Sequence, residues 1–429
     1  MRETVIRNKA PEIKSISSLK IIQPKHYTLS NGVKVAVFEN NTQDLLKINL
    51  VFDAGSRNCK KPLIASTVNN MLTEVTNNYT ATELAEKIDF FGAYFETNTT
   101  RDYASVALYS LHTFLDDTLP LLAEVVQNAS FNQEQLQAYI QRKRQEFTVN
   151  SEKVDFIARQ RFTSLLFGEE HPYGRYSRIE DFEAIKRKDI VEFYRKYYLE
   201  AGFKIYIAGN FTQREIDLLD RYFGAMPNKE LIKQDDLWKV NPSFEKVVDI
   251  EKKGAVQNAL RMGFIAPHRY HHDYFGLKIL STILGGYFGS RLMNNIREDK
   301  GYTYGIGSAL SSFQKASVFF ISTEIKSEVC EMAIEEIYNE LDKLKNKTVG
   351  NNELQTVKNY LQGSFQRGLD GTFNLLDRYL DLDLSNLDFS FYEDYIEKII
   401  SIEASELKEL AIKYYNEKNI YLLNVGKIR

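Results

Sequence analysis

The residues best suited to chemistry lie in a glycine-rich stretch over 283–313, which reads ILGGYFGSRLMNNIREDKGYTYGIGSALSSF. The pattern predicts a helix over Ser290–Arg297, a break at Gly301 and a strand immediately after it. Arg297 would then lie at the end of a helix, with Tyr304 seven positions later on the adjoining strand. A guanidinium and a phenol held together there could donate hydrogen bonds to a peptide carbonyl or to a developing oxyanion. The alternative interpretation is a glycine turn with a surface arginine and a half-buried tyrosine.

The same stretch contains Gly285 and Gly286, which permit a close approach of the backbone. These glycines do not form a phosphate-binding loop, because GGYFGSR lacks the arrangement of a strand, GxxxxGK[ST] and a helix. Nucleotide binding is therefore not expected.

A group of histidines also has residue types that can bind a metal ion. His268, His271 and His272 precede Asp273 in APHRYHHDYF, and His/Asp clusters are found as metal ligands. Pro267 and the lack of an identifiable further ligand instead favour a solvated loop without metal.

The elements that must position these residues follow one plan twice. Gly209 and Gly426 each end an apolar strand and lie 217 positions apart, and Phe147 and Phe365 lie 218 apart. Matching offsets at separated points indicate a duplicated domain, and a unit of this size is too long for a solenoid repeat. The predicted organisation is an N-terminal domain over 1–227, a linker over 228–242 and a C-terminal domain over 243–429.

Within each half, strand and helix patterns are grouped without regular βαβ alternation. Tyr27–Phe38 has a hairpin signal, Thr80–Glu83 is a capping box before a helix that Gly92 would end, and 93–110 alternates between polar and apolar residues. Helices are predicted near 114–128, 132–149 and 185–198. The fold class is therefore expected to be α+β, with two homologous domains that each contain a mainly antiparallel sheet packed with helices.

Composition excludes several classes of protein. The 429 residues include 55 basic and 58 acidic ones, so the net charge of −3 gives no general reason to bind nucleic acid or an anionic membrane. No apolar run is long enough for a membrane span, and the N-terminus lacks the apolar core of a signal peptide. We expect a cytoplasmic protein, with a periplasmic one still open if a leader was removed.

The chain has only two cysteines, Cys59 and Cys330. Two cysteines exclude a disulfide framework and a cysteine-built zinc site. Arg57 and the lysines at 60 and 61 flank Cys59 and favour a lowered pKa for its thiol, although no partner histidine is evident and an ordinary thiol is expected.

The stretch LGGYFGSRLMNNIREDKGYTYGIG, with LSNGVKVAVFEN near the start, FDAGSR at 52–57 and HPYGR at 171–175, resembles the pitrilysin/mitochondrial processing peptidase family of inverted zinc peptidases. The duplicated α+β plan extends the resemblance over nearly the whole chain. In that family an arginine and a tyrosine seven positions apart hold the substrate near the scissile bond. Arg297 and Tyr304 have this spacing, and backbone groups near Gly285 and Gly286 would help to admit the substrate.

The zinc motif of that family, H-x-x-E-H, should lie on the helix that follows FDAGSR, where this chain has KPLIASTVNNMLTEVTNN. Alignment places Ser66, Asn69 and Asn70 at the positions of the His, Glu and His, and Glu146 could be a remnant of the third ligand or an exposed helix glutamate. Zinc lowers the pKa of its bound water from about 15.7 to about 7. A serine and two asparagines cannot replace that effect, so we expect no metal in this chain and no hydrolysis by this chain alone.

The family includes two-chain enzymes in which one subunit carries H-x-x-E-H and the other supplies the Arg/Tyr segment. The resemblance therefore implies a zinc-less subunit of a heterodimeric metallopeptidase, with zinc in a partner of similar size and peptides as substrates. Arg297 and Tyr304 would bind the substrate backbone and polarise the carbonyl that the partner's zinc-bound water attacks. The alternatives are an inert scaffold or assembly subunit and a homodimeric peptide-binding module, and a homodimer in isolation stays open.

Overall fold

The computed structural model describes residues 21–40, 42–230 and 238–428. The N-terminal half comprises the described residues before 231, and it contains strands, α-helices and short helical turns. Its strands are β1 (Lys25–Thr28), β2 (Lys34–Glu39), β3 (Leu45–Phe52), β4 (Tyr94–Thr99), β5 (Ala104–Leu111) and β6 (Phe203–Gly209). Its helices are α1 (Ile64–Met71), α2 (Ala81–Phe90), α3 (Leu115–Gln127), α4 (Gln133–Asn150), α5 (Val154–Phe167), α6 (Arg187–Tyr194) and α7 (Gln213–Phe223), with a π-helical turn over Arg195–Glu200.

The C-terminal half comprises the described residues from 238 onward and is built in the same way. Its strands are β7 (Val247–Glu251), β8 (Gln257–Ala266), β9 (Thr303–Ser312), β10 (Ser317–Lys326) and β11 (Tyr421–Gly426). Its helices are α8 (Tyr274–Gly285), α9 (Cys330–Asn346), α10 (Asn351–Arg367), α11 (Thr372–Asp383), α12 (Ser390–Ser401) and α13 (Ala404–Tyr414), with a π-helical segment over Met293–Asp299.

The two sheets have the same topology. The first has the strand order β1-β2-β6-β3-β5-β4 and the second β7-β11-β8-β10-β9, so the orders match once β1 is set aside. In each sheet one pair is parallel, β2 with β6 and β7 with β11, and the other neighbours are antiparallel. This arrangement confirms the predicted α+β class with two mainly antiparallel sheets, and it is the topology that a duplicated domain would produce. Strands β4 and β9 are equivalent edge strands.

The halves hold together by exchanging a helix. Helix α5 of the N-terminal half packs on β8 and β11, whereas α11 of the C-terminal half packs on β2 and β6. Ion pairs follow the same exchange, since Asp155 of α5 pairs with Arg261 of β8, and Asp377 of α11 accepts a hydrogen bond from Lys47 of β3 at 2.7 Å. Each sheet therefore completes its apolar core with a helix from the other half.

Several local predictions are confirmed. The hairpin joins β1 and β2, and Thr80 caps α2 in a reciprocal capping box with Glu83, with Gly92 at φ +61° after the helix. The alternation over 93–110 is divided between β4 and β5. Part of the predicted linker over 228–242 lies outside the described residues, and the domain boundaries remain predictions. Among the residues described, no helix combines the length and apolarity needed to cross a membrane.

Candidate functional site

Arg297 and Tyr304 lie side by side on the C-terminal half. Arg297 belongs to the π-helical segment, which ends where Gly301 takes φ +64° and donates its N–H to Arg297 O at 3.1 Å. Strand β9 then begins and presents Tyr304. The guanidinium carbon lies 5.5 Å from the centroid of the Tyr304 ring and 4.8 Å from that of Phe288. The structure therefore brings together the two side chains that the sequence suggested, and it adds a third that sequence reasoning missed.

The guanidinium of Arg297 keeps its donors available. Its side chain is 27% exposed, its Nε lies 3.5 Å from Glu298 Oε1, and it makes no hydrogen bond to another described side chain or carbonyl. Arg291, one and a half helical turns earlier, is different, because its Nε and one terminal nitrogen donate to Glu353 at 2.8 and 2.9 Å. Arg291 is thus committed to the structure, whereas Arg297 can donate to an external acceptor.

The phenol of Tyr304 is also available. Tyr304 is 91% exposed, which contradicts the alternative of a half-buried tyrosine, and its hydroxyl has no hydrogen-bond partner in the described part of the chain. Its place at the start of edge strand β9 explains the exposure, since no further strand covers that side of the sheet. An arginine and a tyrosine with free donors could bind a carbonyl oxygen together.

Gly285 and Gly286 allow close backbone packing at the end of α8. Gly285 is buried at the end of α8, where a Cβ would lie 2.5 Å from the backbone nitrogen of Ser308 in β9. A Cβ on Gly286 would lie 2.6 Å from the Cα of Thr282. Gly285 thus lets α8 pack closely on the strand that bears Tyr304, while the role of both glycines in admitting substrate remains a prediction.

Helix α1 carries the positions aligned with the zinc motif, and the side chains there are bonded within the protein. Ser66 Oγ donates to Leu63 O at 3.0 Å. Asn70 Nδ2 donates to the hydroxyl of Tyr139 at 2.9 Å, and Asn70 Oδ1 accepts from Thr97 at 3.3 Å. These bonds tie α1 to α4 and to β4.

Asn69 is fully buried and uses its whole amide. Its Nδ2 donates to Asn98 O at 2.9 Å and to Ser105 O at 3.1 Å, and its Oδ1 accepts from the hydroxyl of Tyr198 at 2.9 Å. Burial raises the pKa of Tyr198 well above its ordinary value, so this phenol stays protonated and remains a donor. Asn69 therefore acts as a polar connector between α1 and the first sheet.

Glu146 does not join these side chains. It is exposed on α4, where its carboxylate accepts from Lys143 at 2.8 Å. The α4 residue that reaches α1 is Tyr139, whose pKa is raised by burial, so it offers a neutral phenol. A hydroxyl, two amides and a protonated phenol, all engaged in internal bonds, do not fit the imidazole, thiolate and carboxylate ligands that zinc prefers.

The histidine group is divided by the fold. His268 Nε2 lies 3.3 Å from Phe313 O, away from the exposed pair His271 and His272. The potential ligand atoms of that pair and of Asp273 lie within 4.8 Å of one another. However, Asp273 Oδ2 already accepts from Lys413 and Tyr414 at 2.6 and 2.5 Å, and His271 Nδ1 accepts from the Asp273 N–H at 3.1 Å. Asp273 Oδ2 and His271 Nδ1, which could bind a metal ion, are thus already engaged in hydrogen bonds within the protein.

The basic residues that flank Cys59 in the sequence do not lower its pKa, and its thiol is less acidic than the ordinary one that the sequence led us to expect. Burial raises the pKa of this thiol to about 12, and the nearby charge of Arg175 opposes that effect only in part. Arg57, which the sequence placed beside the thiol, instead donates to Asp53 at 2.9 Å. Sequence adjacency could not show that the thiol faces the core.

A cavity of about 1070 Å³ lies between the halves. Its walls include Arg57 and Asp102 from the N-terminal half and His268 and Asp383 from the C-terminal half. Neither the Arg297/Tyr304 pair nor α1 lines it. The free donors of Arg297 and Tyr304 therefore face the surface of this chain rather than that cavity.

Comparison with known proteins gives two family matches and a shared fold. A family model described as insulinase (peptidase family M16) matches residues 34–169, and one described as the peptidase M16 inactive domain matches residues 184–361. An uncharacterized zinc protease from Bacillus subtilis is 24% identical over 396 residues, which is 92% of this chain and 96% of that protein. A zinc protease from Helicobacter pylori is 23% identical over 408 residues, with 92% and 91% covered.

Solved structures with the same fold include proteins of different kinds. A peptidase M16 inactive domain from Pseudomonas fluorescens superposes with a TM-score of 0.84 at 23% identity, covering 95% of this chain and 99% of that one. A chain in the structure of Complex III2 from Candida albicans gives a TM-score of 0.76 at 16% identity, covering 94% and 95%. At these identities the likeness shows the fold, and function must be argued from the site.

Proposed function

We propose, from the premise that this chain belongs to the M16 (pitrilysin/insulinase) peptidase family, that it is the zinc-less subunit of a heterodimeric metallopeptidase. In this proposal, Arg297 and Tyr304 bind the peptide substrate for a partner that carries H-x-x-E-H. The chain would be inactive alone and would complete the active site only in the assembly.

One contrast within the molecule carries the proposal. At α1, where the family binds zinc, the side chains are neutral and internally bonded, as the buried amide of Asn69 shows. Near β9, Arg297 and Tyr304 keep free donors next to each other at the surface. Neither side chain makes a hydrogen bond within the described part of the chain, so both can donate to an external acceptor, and this supports a binding role.

The chemistry available to this chain is hydrogen-bond donation to a peptide. The guanidinium of Arg297 can donate an N–H bond to a carbonyl oxygen, and the phenol of Tyr304 can donate a second to the same oxygen. Bonds of this kind are stronger toward an oxygen that gains negative charge, so they favour the transition state over the bound substrate. The partner's zinc would supply the activated water.

A second candidate function is an inert scaffold or assembly subunit. It is supported by the fold shared with a chain of Complex III2, which shows that this architecture also occurs in a large assembly. A scaffold does not need free donors on Arg297 and Tyr304, and we therefore place it second. A homodimeric peptide-binding module would use the same donors without a partner's zinc.

Reconstitution tests these alternatives. The full chain and an H-x-x-E-H chain encoded in the same genome are purified separately and mixed, and cleavage of a quenched fluorescent peptide library is measured. We expect cleavage by the mixture, none by this chain alone, and no stoichiometric zinc in this chain by metal analysis. A complex without activity would favour the scaffold, and peptide binding by this chain alone would favour the homodimeric module. One zinc per chain held at α1 would overturn the proposal.

A further inference from the structure

Tyr304 lies on a β-bulge. In the pairing of β9 with β10, Thr303 faces Ile325 and Ile306 faces Thr323, so Tyr304 and Gly305 together face the single residue Glu324. An extra residue of this kind bends the strand, leaves backbone groups without ladder partners and redirects side chains. The bulge, rather than the regular strand, therefore sets the direction in which Tyr304 projects.

Two threonine hydroxyls satisfy the backbone groups that the bulge leaves unpaired. Thr303 Oγ1 lies 2.6 Å from Glu324 O, to which it can donate, and accepts from the Gly305 N–H at 3.1 Å. Thr323 Oγ1 lies 2.9 Å from Gly305 O and 2.9 Å from Thr303 Oγ1, and it can donate to either. The N–H and C=O of Gly305 thus both bond to hydroxyls. We refer to Thr303 and Thr323 as the threonine clamp.

The clamp connects the interior of the sheet to the exposed phenol. Thr323 is only 4% exposed, whereas Tyr304 is 91% exposed. A β-branched side chain has few rotamers, so the burial of Thr323 limits the directions that its hydroxyl can take. A Cβ added at Gly305 would meet no atom within 4 Å, so no side chain packs against that side of the bulge.

We propose that Thr323 is a positioning residue, which acts through the bulge to aim Tyr304 at the substrate carbonyl beside Arg297. The inference rests on the proposed function, because it assigns Thr323 to the same peptide-binding site. Thr323 does not touch the substrate. Its hydroxyl lies within bonding distance of the Gly305 carbonyl, which follows Tyr304, and of the Thr303 hydroxyl, which precedes it. Without these bonds the bulge can relax and the donor is misdirected.

The test compares isosteric and conservative variants in the reconstituted mixture. Thr323→Val keeps the shape of the side chain and removes the hydroxyl, and Thr323→Ser keeps the hydroxyl. We expect Thr323→Val to lower kcat by about tenfold, the scale of one lost hydrogen bond in the transition state, with little change in KM. Thr323→Ser should recover most of the rate. Unchanged kcat in Thr323→Val, with an active wild-type mixture, would overturn the inference and leave the proposed function standing.

A double-mutant cycle separates positioning from a general structural effect. If Thr323 acts through the phenol, Thr323→Val should cause no further loss of kcat in a chain that already carries Tyr304→Phe. A full additional loss would overturn the inference. Thr118→Val is the matched control, because Thr118 is a buried threonine that bonds Ser110 and Phe114 in the N-terminal half. It should change the melting temperature without changing kcat.

Hydrogen exchange gives a measurement that does not depend on activity. In the full chain alone, the Gly305 amide should exchange faster in Thr323→Val than in the wild type. The Gly305 N–H donates to Thr303 Oγ1, and this hydroxyl loses its bond to Thr323 in the variant. Unchanged exchange at 303–306 would overturn the clamp. An inactive wild-type complex would overturn the proposed function and with it the catalytic part of the inference, so the two failures are distinguishable.

Discussion

Helix α1 and strand β4 in the N-terminal half are equivalent to α8 and β9 in the C-terminal half. The polar side chains of the first pair are bonded inside the protein, whereas polar side chains near the second pair are available at the surface. In the N-terminal half the amide of Asn69 points inward and bonds to the carbonyls of Asn98 and Ser105. In the C-terminal half Gly285 makes the close contact with β9, and the polar residues Arg297 and Tyr304 face outward. The same topology therefore supports a polar core in one half and exposed donors in the other.

The difference shows how to separate structural from functional polar groups within one chain. A buried polar group is tolerated when its hydrogen bonds are made inside the protein, and this describes α1. A partly exposed donor that makes no hydrogen bond within the described part of the chain contributes less to stability, and this describes the guanidinium of Arg297, which only lies 3.5 Å from Glu298. Substitutions in the two regions should therefore affect different quantities, stability in one and activity in the other.

Arg297→Ala should produce the largest effect on activity. The loss of one donor at a developing oxyanion lowers kcat by about 10²–10³-fold, and we expect this range in the reconstituted mixture, with assembly measured by size-exclusion chromatography unchanged. The matched control is Arg159→Ala, since Arg159 is an exposed arginine that likewise lies over an aromatic ring, that of Phe156, in the N-terminal half. Full activity of Arg297→Ala would remove the C-terminal region from the mechanism.

Asn69→Ala should instead affect stability. The change leaves the Tyr198 hydroxyl buried without its acceptor and opens a small cavity, so the free energy of unfolding should fall by about 3 kcal/mol. Urea denaturation of the chain alone measures it. Ser66→Ala on the same helix removes one bond, from a partly exposed side chain to Leu63 O, and should cost less than about 0.5 kcal/mol. Equal effects of the two variants would show that α1 is not the polar connector described above.

Tyr304→Phe removes one hydroxyl and leaves the ring. We expect a loss in kcat of about tenfold, because a neutral donor contributes less than a guanidinium to a charged oxygen. Circular dichroism and the melting temperature should be unchanged, since the hydroxyl has no partner in the described part of the chain. A drop in melting temperature would mean that Tyr304 belongs with the structural group and would weaken the comparison.

The sequence predicted those features that depend on residues close together in the chain. The apolar spacing of Val68, Met71 and Leu72 predicted that α1 persists as a packing helix, and these residues are fully buried. The spacing of Arg297 and Tyr304 across Gly301 predicted that the two side chains meet. Both inferences depend on one helix and the strand after it, so the sequence alone contains the relevant geometry.

Other features depend on partners that are distant in the sequence. The exchange of α5 and α11 between the halves joins residues more than one hundred positions apart, and no local pattern distinguishes those helices from others. Tyr139 bonds Asn70 although the two residues lie 69 positions apart. The sequence instead suggested Glu146 as the α4 residue near α1, because a glutamate is the residue type of the third zinc ligand. The bulge at Tyr304 and Gly305 arises from the register with β10, which a single strand cannot reveal.

Phe288→Leu should have the smallest effect on kcat/KM of the substitutions considered, and it tests whether the ring supports Arg297. The ring of Phe288 lies 4.8 Å from the Arg297 guanidinium although it is 64% exposed. A cation–π contact at an exposed site contributes about 0.5–1 kcal/mol, which corresponds to a two- to fivefold loss in kcat/KM if the ring only orients the guanidinium. Phe90→Leu, an exposed phenylalanine on α2, is the control and should leave kcat/KM unchanged.

The split between the kinetic constants then identifies the role of the ring. A ring that only orients Arg297 should lower kcat, and its effect should disappear in an Arg297→Ala background. A ring that also contacts the substrate should raise KM even when Arg297 is absent. The first result would extend the set of exposed side chains that serve the donors, and the second would make Phe288 part of the peptide-binding surface itself. In either case the contrast with α1 becomes sharper, since the aromatic partners of Asn70 and Asn69, which are Tyr139 and Tyr198, are both buried.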